Sequence, residues 1–194
     1  MLSVDQLLRN NVLSSIEAKQ SMLNELGSVE TFSNAARYVL QQYRDGGRLY
    51  IAGNGGSAAD AQHLAAEFVS KLAKDRSPLA AEALTVDTSV LTAIGNDYGY
   101  EEVFARQIRG KMTSKDVFLA ITTSGQSANI IRALEECRSI GITSILFTGH
   151  DGGSARDIAD YCIVVPGDST ATIQEIHILL AHTLCEYVEL SLFG

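Results

Sequence analysis

Apolar positions in the first quarter of the chain recur at helical spacing. Val4, Leu7, Leu8, Val12, Ile16 and Met22 mark one face of a helix over residues 3–25, capped by Ser3 with an acidic residue soon after. Gly27-Ser28 breaks the run, and a second helix over about 29–44 turns Phe32, Ala35, Ala36, Val39 and Leu40 inward until Asp45-Gly46-Gly47 ends it. From there short apolar runs alternate with helical ones. Strands are predicted over 49–52, 83–86, 117–121, 144–147 and 161–165. Between them the pattern predicts helices over 58–72, 88–94 (capped by Asp87-Thr88), about 100–111, 128–140 (closed by Gly141) and 154–159. Pro166-Gly167-Asp168-Ser169 leads into a last helix over about 170–192. Such alternation predicts an α/β fold, a parallel sheet flanked by helices. The two helices ahead of the first strand either cover the sheet or form a hairpin for oligomerisation, and the hairpin is the reading favoured here. No repeat, low-complexity segment or linker divides the chain, which reads as a single domain over 1–194, with N-terminal helices in 1–45 and an α/β core in 46–194.

Ligands of such sheets bind beyond the C-terminal ends of the strands. Loops 53–57, 95–99 and 122–127 can meet there. In the first, Leu49 to Ala52 runs into Gly53-Asn54-Gly55-Gly56-Ser57 and then into an alanine-rich helix. Strand, glycine turn and helix aim backbone N–H groups and a helix dipole at one point, which suits a phosphate, with the Ser57 hydroxyl as a helix cap. The pattern is neither the Walker sequence nor the dinucleotide fingerprint, and by itself it also fits a tight turn without a ligand. The third loop offers Thr122, Thr123, Ser124 and Ser127 around Gly125. One hydroxyl suffices to cap the following helix, so four suggest a neutral anion cradle.

Two helices carry polar residues that need an explanation. His63 and Glu67 are neighbours on one helix face, as a surface pair, as ligands of a divalent metal, or as proton carriers. On the mostly apolar last helix, Gln174 and His182 share one side, separated by about 80°, while His177 points about 140° away from His182. Buried there, they need partners.

Composition narrows the function classes. A net charge of −8 without a basic run argues against nucleic acid held through phosphate neutralisation, and leaves anion binding to local N–H groups and hydroxyls. Cys137, Cys162 and Cys185 lie inside apolar patterns and read as reduced, buried thiols. Residues 1–10 have no signal-peptide architecture, and no apolar run reaches a membrane-spanning length, so a cytoplasmic location is expected.

Taken together, Gly-Asn-Gly-Gly-Ser at 53–57, Asp60-Ala61-Gln62-His63 through Glu67, Ala93 to Asp97, Thr123-Ser124-Gly125 with Ser127, Thr148-Gly149 with Asp151-Gly152-Gly153, and Ile173-Gln174-Glu175 with His177 resemble the phosphoheptose isomerase family of the sugar-isomerase (SIS) fold. The resemblance covers about the whole chain. It implies a Rossmann-like or flavodoxin-like SIS sheet and conversion of sedoheptulose 7-phosphate to D-glycero-D-manno-heptose 7-phosphate through an enediol. That step leads toward the heptose of bacterial lipopolysaccharide or other surface glycans. A cytoplasmic homotetramer with sites between subunits is implied too, with one zinc per subunit on His63, Glu67, Gln174 and His182. By the same resemblance Glu67 is the general base and His182 the general acid. Substrate binding falls on Asn54, Gly55, Gly56, Ser57, Glu67, Asn96, Asp97, Thr122, Thr123, Ser124, Ser127 and Gln174.

Three positions depart from the family pattern: Thr122 stands for Ser, Gln126 for Asn, and Thr172 for the Arg that often precedes Ile-Gln-Glu. The runner-up is a DnaA-binding tetramer of the same fold, which Ala61-Gln62-His63 and Leu184-Cys185 resemble but which lacks equivalents of Glu67 and His182. A third reading, arabinose 5-phosphate isomerisation, implies a longer chain with a regulatory domain.

Overall fold

The computed structural model describes residues 3–194; Met1 and Leu2, at the start of the expected hairpin, lie outside them. Two helices come first, α1 (Val4–Asn24) and α2 (Leu26–Arg44). Ser3 caps α1 through a reciprocal box with Gln6. The break falls at Glu25, not at Gly27-Ser28. Both of those residues sit in the first turn of α2, where poor helix formers cost little, and the Ser28 N–H donates to the Glu25 carbonyl at 3.0 Å. Ser28 Oγ donates to the Val164 carbonyl and so ties the start of α2 to the sheet.

The core follows as β1 (Leu49–Gly53), α3 (Gly56–Val69), β2 (Ala81–Ala83), α4 (Thr88–Tyr98), a 3-10 turn at Tyr100–Glu102, α5 (Ala105–Lys111), β3 (Val117–Thr122), α6 (Ala128–Ile140), β4 (Thr143–Thr148), a 3-10 turn at Gly153–Ala155, β5 (Tyr161–Val164) and α7 (Thr170–Phe193). The five strands pair in parallel in the order β2-β1-β3-β4-β5. Alternate strand residues face opposite layers. Leu49, Ile51, Leu119 and Phe147 pack under α2, α3 and α7, whereas Tyr50, Ala52, Phe118 and Leu146 pack under α5 and α6. The expected parallel α/β sheet is thus the observed one.

Several element bounds differ from the sequence expectation. β2 starts earlier because its pairing with β1 begins at Ala81, opposite Leu49. The short helix expected to stop at residue 94 runs on as α4 through Gly95, Asn96 and Asp97. A single interior glycine costs a helix only about 1 kcal/mol, and the chain turns instead at Gly99, with φ +93°. The helix expected over 100–111 is a 3-10 turn followed by α5, and that over 154–159 shrinks to the turn at Gly153–Ala155.

α3 ends at Val69 instead of Leu72 for an electrostatic reason. Arg76 donates to the carbonyls of Glu67 (2.9 Å) and Phe68 (2.8 Å), capping the helix C-terminus. Glu189 of α7 accepts from Arg76 Nε (2.9 Å) and from the backbone N–H groups of Leu72, Ala73 and Lys74, which draws that segment out of helical pairing. Burial pushes the Glu189 carboxyl up, but these bonds outweigh it and hold it below the usual carboxylate range.

α7 also amends the expectation about membranes. By length and composition this helix is apolar enough to cross one. It is packed through Ile173, Ile176, Ala181, Leu184 and Val188 into the layer above the sheet. Cys137 and Cys185 are buried and Cys162 is half-buried, all three as free thiols.

Candidate active site

The strand order reverses between β1 and β3: the chain leaves β1 for one edge of the sheet and β3 for the other. A crevice opens at such a point beyond the strand ends. Loop 53–57 follows β1 and loop 122–127 follows β3, so both glycine and hydroxyl loops stand at the switch.

In the first loop the cap differs from the one expected. Gly55 occupies the N-cap position of α3, and Ser57 is buried inside the first turn instead of capping it. Gly56 lies where another chain segment comes close. A Cβ built there would be 2.4 Å from Gln174 Nε2, so any side chain would displace that amide. Gln174 therefore rests against the start of α3.

In the second loop the four hydroxyls are not equivalent. Thr122 is buried, with its Oγ1 3.1 Å from Ser127 Oγ. Ser127 sits at the N-cap of α6 without a side-chain cap bond. Ser124 is exposed and its Oγ accepts from the Gln126 N–H at 3.2 Å. Gly125, at φ +64°, packs against Gly152 so closely that a Cβ would meet the Gly152 carbonyl oxygen at 1.9 Å. Loop 149–153 thereby braces the hydroxyl loop, and Gly149 N–H donates to the Thr123 carbonyl.

About two turns beyond the glycine loop, α3 meets α7. His63 Nε2 lies 3.3 Å from Glu67 Oε1 and 3.0 Å from His182 Nε2. The donor atoms of the three side chains all lie within 4.8 Å of one another. Among the described residues no other three His, Cys, Asp or Glu side chains come together this way. The helical spacing of His63 and Glu67 is as expected; His182, 119 residues from His63, joins them only through the packing of α7 on α3. Two facing imidazole nitrogens require one to donate and the other to accept, so the group holds a transferable proton. Two imidazoles and a carboxylate also form the donor set of a zinc site with an open position.

The other predicted residues are placed as follows. Asn96 and Asp97 lie exposed in the last turn of α4, where Asn96 Nδ2 donates to Asp97 Oδ1 at 2.8 Å; these contacts do not bring them to the His63 group. Thr172 is buried at the start of α7 and bonds Ser169 Oγ at 3.0 Å. Glu175 faces α1, where Lys19 donates to it at 2.9 Å. Asp60, one turn before His63, was not singled out by spacing. Its Oδ2 is buried without a partner, and burial raises its carboxyl while the neighbouring His63 opposes the rise.

His177 is fully buried beside Phe147, and neither ring nitrogen reaches a hydrogen-bond partner. Burial pushes its imidazole down to about 4, with the Thr148 backbone opposing the shift only in part. Its folded value lies below the unfolded one of about 6.5. The unfolded chain therefore binds the proton more readily, and stability falls as the pH drops from about 6.5 towards 4. Urea unfolding is expected to show a loss of about 2 kcal/mol from this group between pH 7.5 and pH 5. His177→Leu should flatten that part of the pH dependence, and an unchanged slope would count against the assignment.

Comparison with known proteins adds the family. The SIS domain family matches residues 13–149. Phosphoheptose isomerase 2 of Campylobacter jejuni is 47% identical over 194 residues, covering 100% of this chain and 96% of that protein. The phosphoheptose isomerase structure from Neisseria gonorrhoeae superposes with a TM-score of 0.90 at 42% identity, over 96% of this chain and 99% of that one. The one from Francisella tularensis gives 0.91 at 36% identity, over 97% and 98%.

Proposed function

Since the chain belongs to the phosphoheptose isomerases of the SIS-domain family, and so is an aldose–ketose isomerase of heptose phosphates, we propose that it converts sedoheptulose 7-phosphate to D-glycero-D-manno-heptose 7-phosphate through an enediol. The observation that carries this reading is the meeting of His63, Glu67 and His182 where α7 packs on α3, the helix that starts from the glycine-rich loop at the sheet's switch point.

Glu67 takes the proton from C1 of the ketose, and His182 protonates the C2 carbonyl oxygen, giving the enediol. Glu67 then delivers its proton to C2 while the O1 proton returns to His182, leaving the aldehyde. His63 lies within reach of both side chains and can pass protons between them. The phosphate sits against the N–H groups of Gly55 and Gly56 and the hydroxyls of Ser57, Thr122, Thr123, Ser124 and Ser127, with Asn54 at the rim. Asn96, Asp97 and Gln174 complete the sugar contacts. His63, Glu67 and His182 would hold zinc, with Gln174 as the fourth ligand by resemblance; when bound, it polarises the substrate carbonyl as a Lewis acid. The reaction would feed heptose into lipopolysaccharide or another surface glycan from the cytoplasm. The relatives reported above are named phosphoheptose isomerases, and none as a DnaA-binding protein. The test is purified protein with sedoheptulose 7-phosphate, with and without a chelator. The aldose heptose phosphate should appear by NMR; its absence under both conditions would refute the reading.

The unit of function is a homotetramer of single-domain chains. Supporting it, the apolar face of α1 stays uncovered by its own chain: Leu7, Leu8 and Leu13 are 51%, 61% and 62% exposed. Light scattering should give about four times the mass of the 20.9 kDa chain. A stable, active monomer would contradict the assembly.

A further inference from the structure

Asn54 and Asn129 join the two anion-binding loops by a reciprocal pair of amide bonds. Asn54 Nδ2 donates to Asn129 Oδ1 at 2.9 Å, and Asn129 Nδ2 donates to Asn54 Oδ1 at 2.9 Å. The Tyr100 hydroxyl, on the 3-10 turn after α4, donates to the same Asn54 oxygen at 3.3 Å. Three segments meet there: the turn after β1, the start of α6 after β3, and the turn that follows Asn96 and Asp97.

A carboxamide has two acceptor sites on its oxygen and two N–H donors. Both acceptor sites of Asn54 are filled, and one N–H is left. Asn54 can therefore offer a ligand a donor and nothing else, which suits a phosphate oxygen. Asn129 is only 3% exposed, and its amide oxygen and one N–H both engage Asn54. We propose that Asn129, with Tyr100 as a second brace, is the positioning residue that sets the spacing of loops 53–57 and 122–127 and aims the free N–H of Asn54 into the phosphate cradle. The proposal rests on the reading of these loops as the phosphate site.

Its effect belongs to binding, because a phosphate remote from the reacting carbons is held alike in ground and transition states. In Asn129→Ala the Asn54 amide loses its partner, and the Kd for inorganic phosphate, titrated into the assembled protein and followed by phosphorus NMR, should rise about 10-fold. KM for sedoheptulose 7-phosphate should rise by a similar factor, with kcat changed less than about 3-fold. Tyr100→Phe removes one weaker bond from an exposed side chain and should raise the phosphate Kd about 2–5-fold without affecting folding. A folded Asn129→Ala protein with wild-type phosphate affinity, or one that loses kcat at constant KM, overturns the proposal. If Asn129→Ala does not fold, an unchanged Kd in Tyr100→Phe overturns it. Wild type that binds no phosphate overturns it as well. Wild type that binds phosphate but leaves sedoheptulose 7-phosphate unchanged removes the proposed reaction instead, and the phosphate titrations of the two variants still decide the role of Asn129.

Discussion

Glu67→Gln and His182→Gln are each expected to lower kcat by about 10²–10⁴. The first keeps the shape of the side chain and removes the base. The second keeps a polar side chain and removes the proton carrier. Neither residue belongs to the packed core: both are half-buried at the meeting of α3 and α7, beside the exposed His63. Circular dichroism and light scattering should therefore match wild type, so that the loss is chemical. The effect should fall on kcat more than on KM, because these groups act on protons that move only in the transition state. Steady-state rates settle it, and wild-type-like turnover in either variant would contradict the assignment of base and acid.

The second large effect concerns stability. The Arg76 and Glu189 side chains are 1% and 2% exposed, and together they bolt the C-terminal end of α3 to α7. Removing one partner of a buried pair strands the other, at a cost of about 3–5 kcal/mol. Arg76→Met should lose that much in urea unfolding at fixed protein concentration. It also uncaps the carbonyls of Glu67 and Phe68, so the helix end that carries Glu67 loosens. The double variant Arg76→Met with Glu189→Leu should recover part of the loss, because no charge is then left buried. A loss below about 1 kcal/mol in Arg76→Met would show that the pair contributes no more than a surface ion pair.

Local signals made part of this site visible in the sequence. Strand and helix periodicity gives the parallel sheet, and the helical spacing of His63 and Glu67 places them together before any tertiary structure is known. The glycine and hydroxyl loops announce themselves by composition. What the sequence hides depends on contacts between distant segments. His182 meets His63 because α7 packs on α3, and no local pattern reports that. Arg76 and Glu189, 113 residues apart, carry no local pattern that pairs them, and only the fold brings them together and buries them. Gly95 looked like a helix end, but its cost is too small to stop α4, which ends at Gly99. The cap expected of Ser57 failed because Gly55 takes the cap position. Asn54 looked free to bind substrate, yet most of its bonding capacity is used by Asn129 and Tyr100. A second amide just after the hydroxyl loop was the available signal for that pairing.

The most direct test of the central claim is to run the isomerisation of sedoheptulose 7-phosphate in deuterium oxide and examine the product by NMR. Glu67 is partly open to solvent, with 22% of its side chain exposed, so the proton it carries between C1 and C2 exchanges with the medium. The account predicts an aldose heptose phosphate carrying deuterium at C2, formed by wild type and lost with Glu67→Gln. A product whose C2 carries only protium transferred from C1, or one still formed at the wild-type rate by Glu67→Gln, would contradict it.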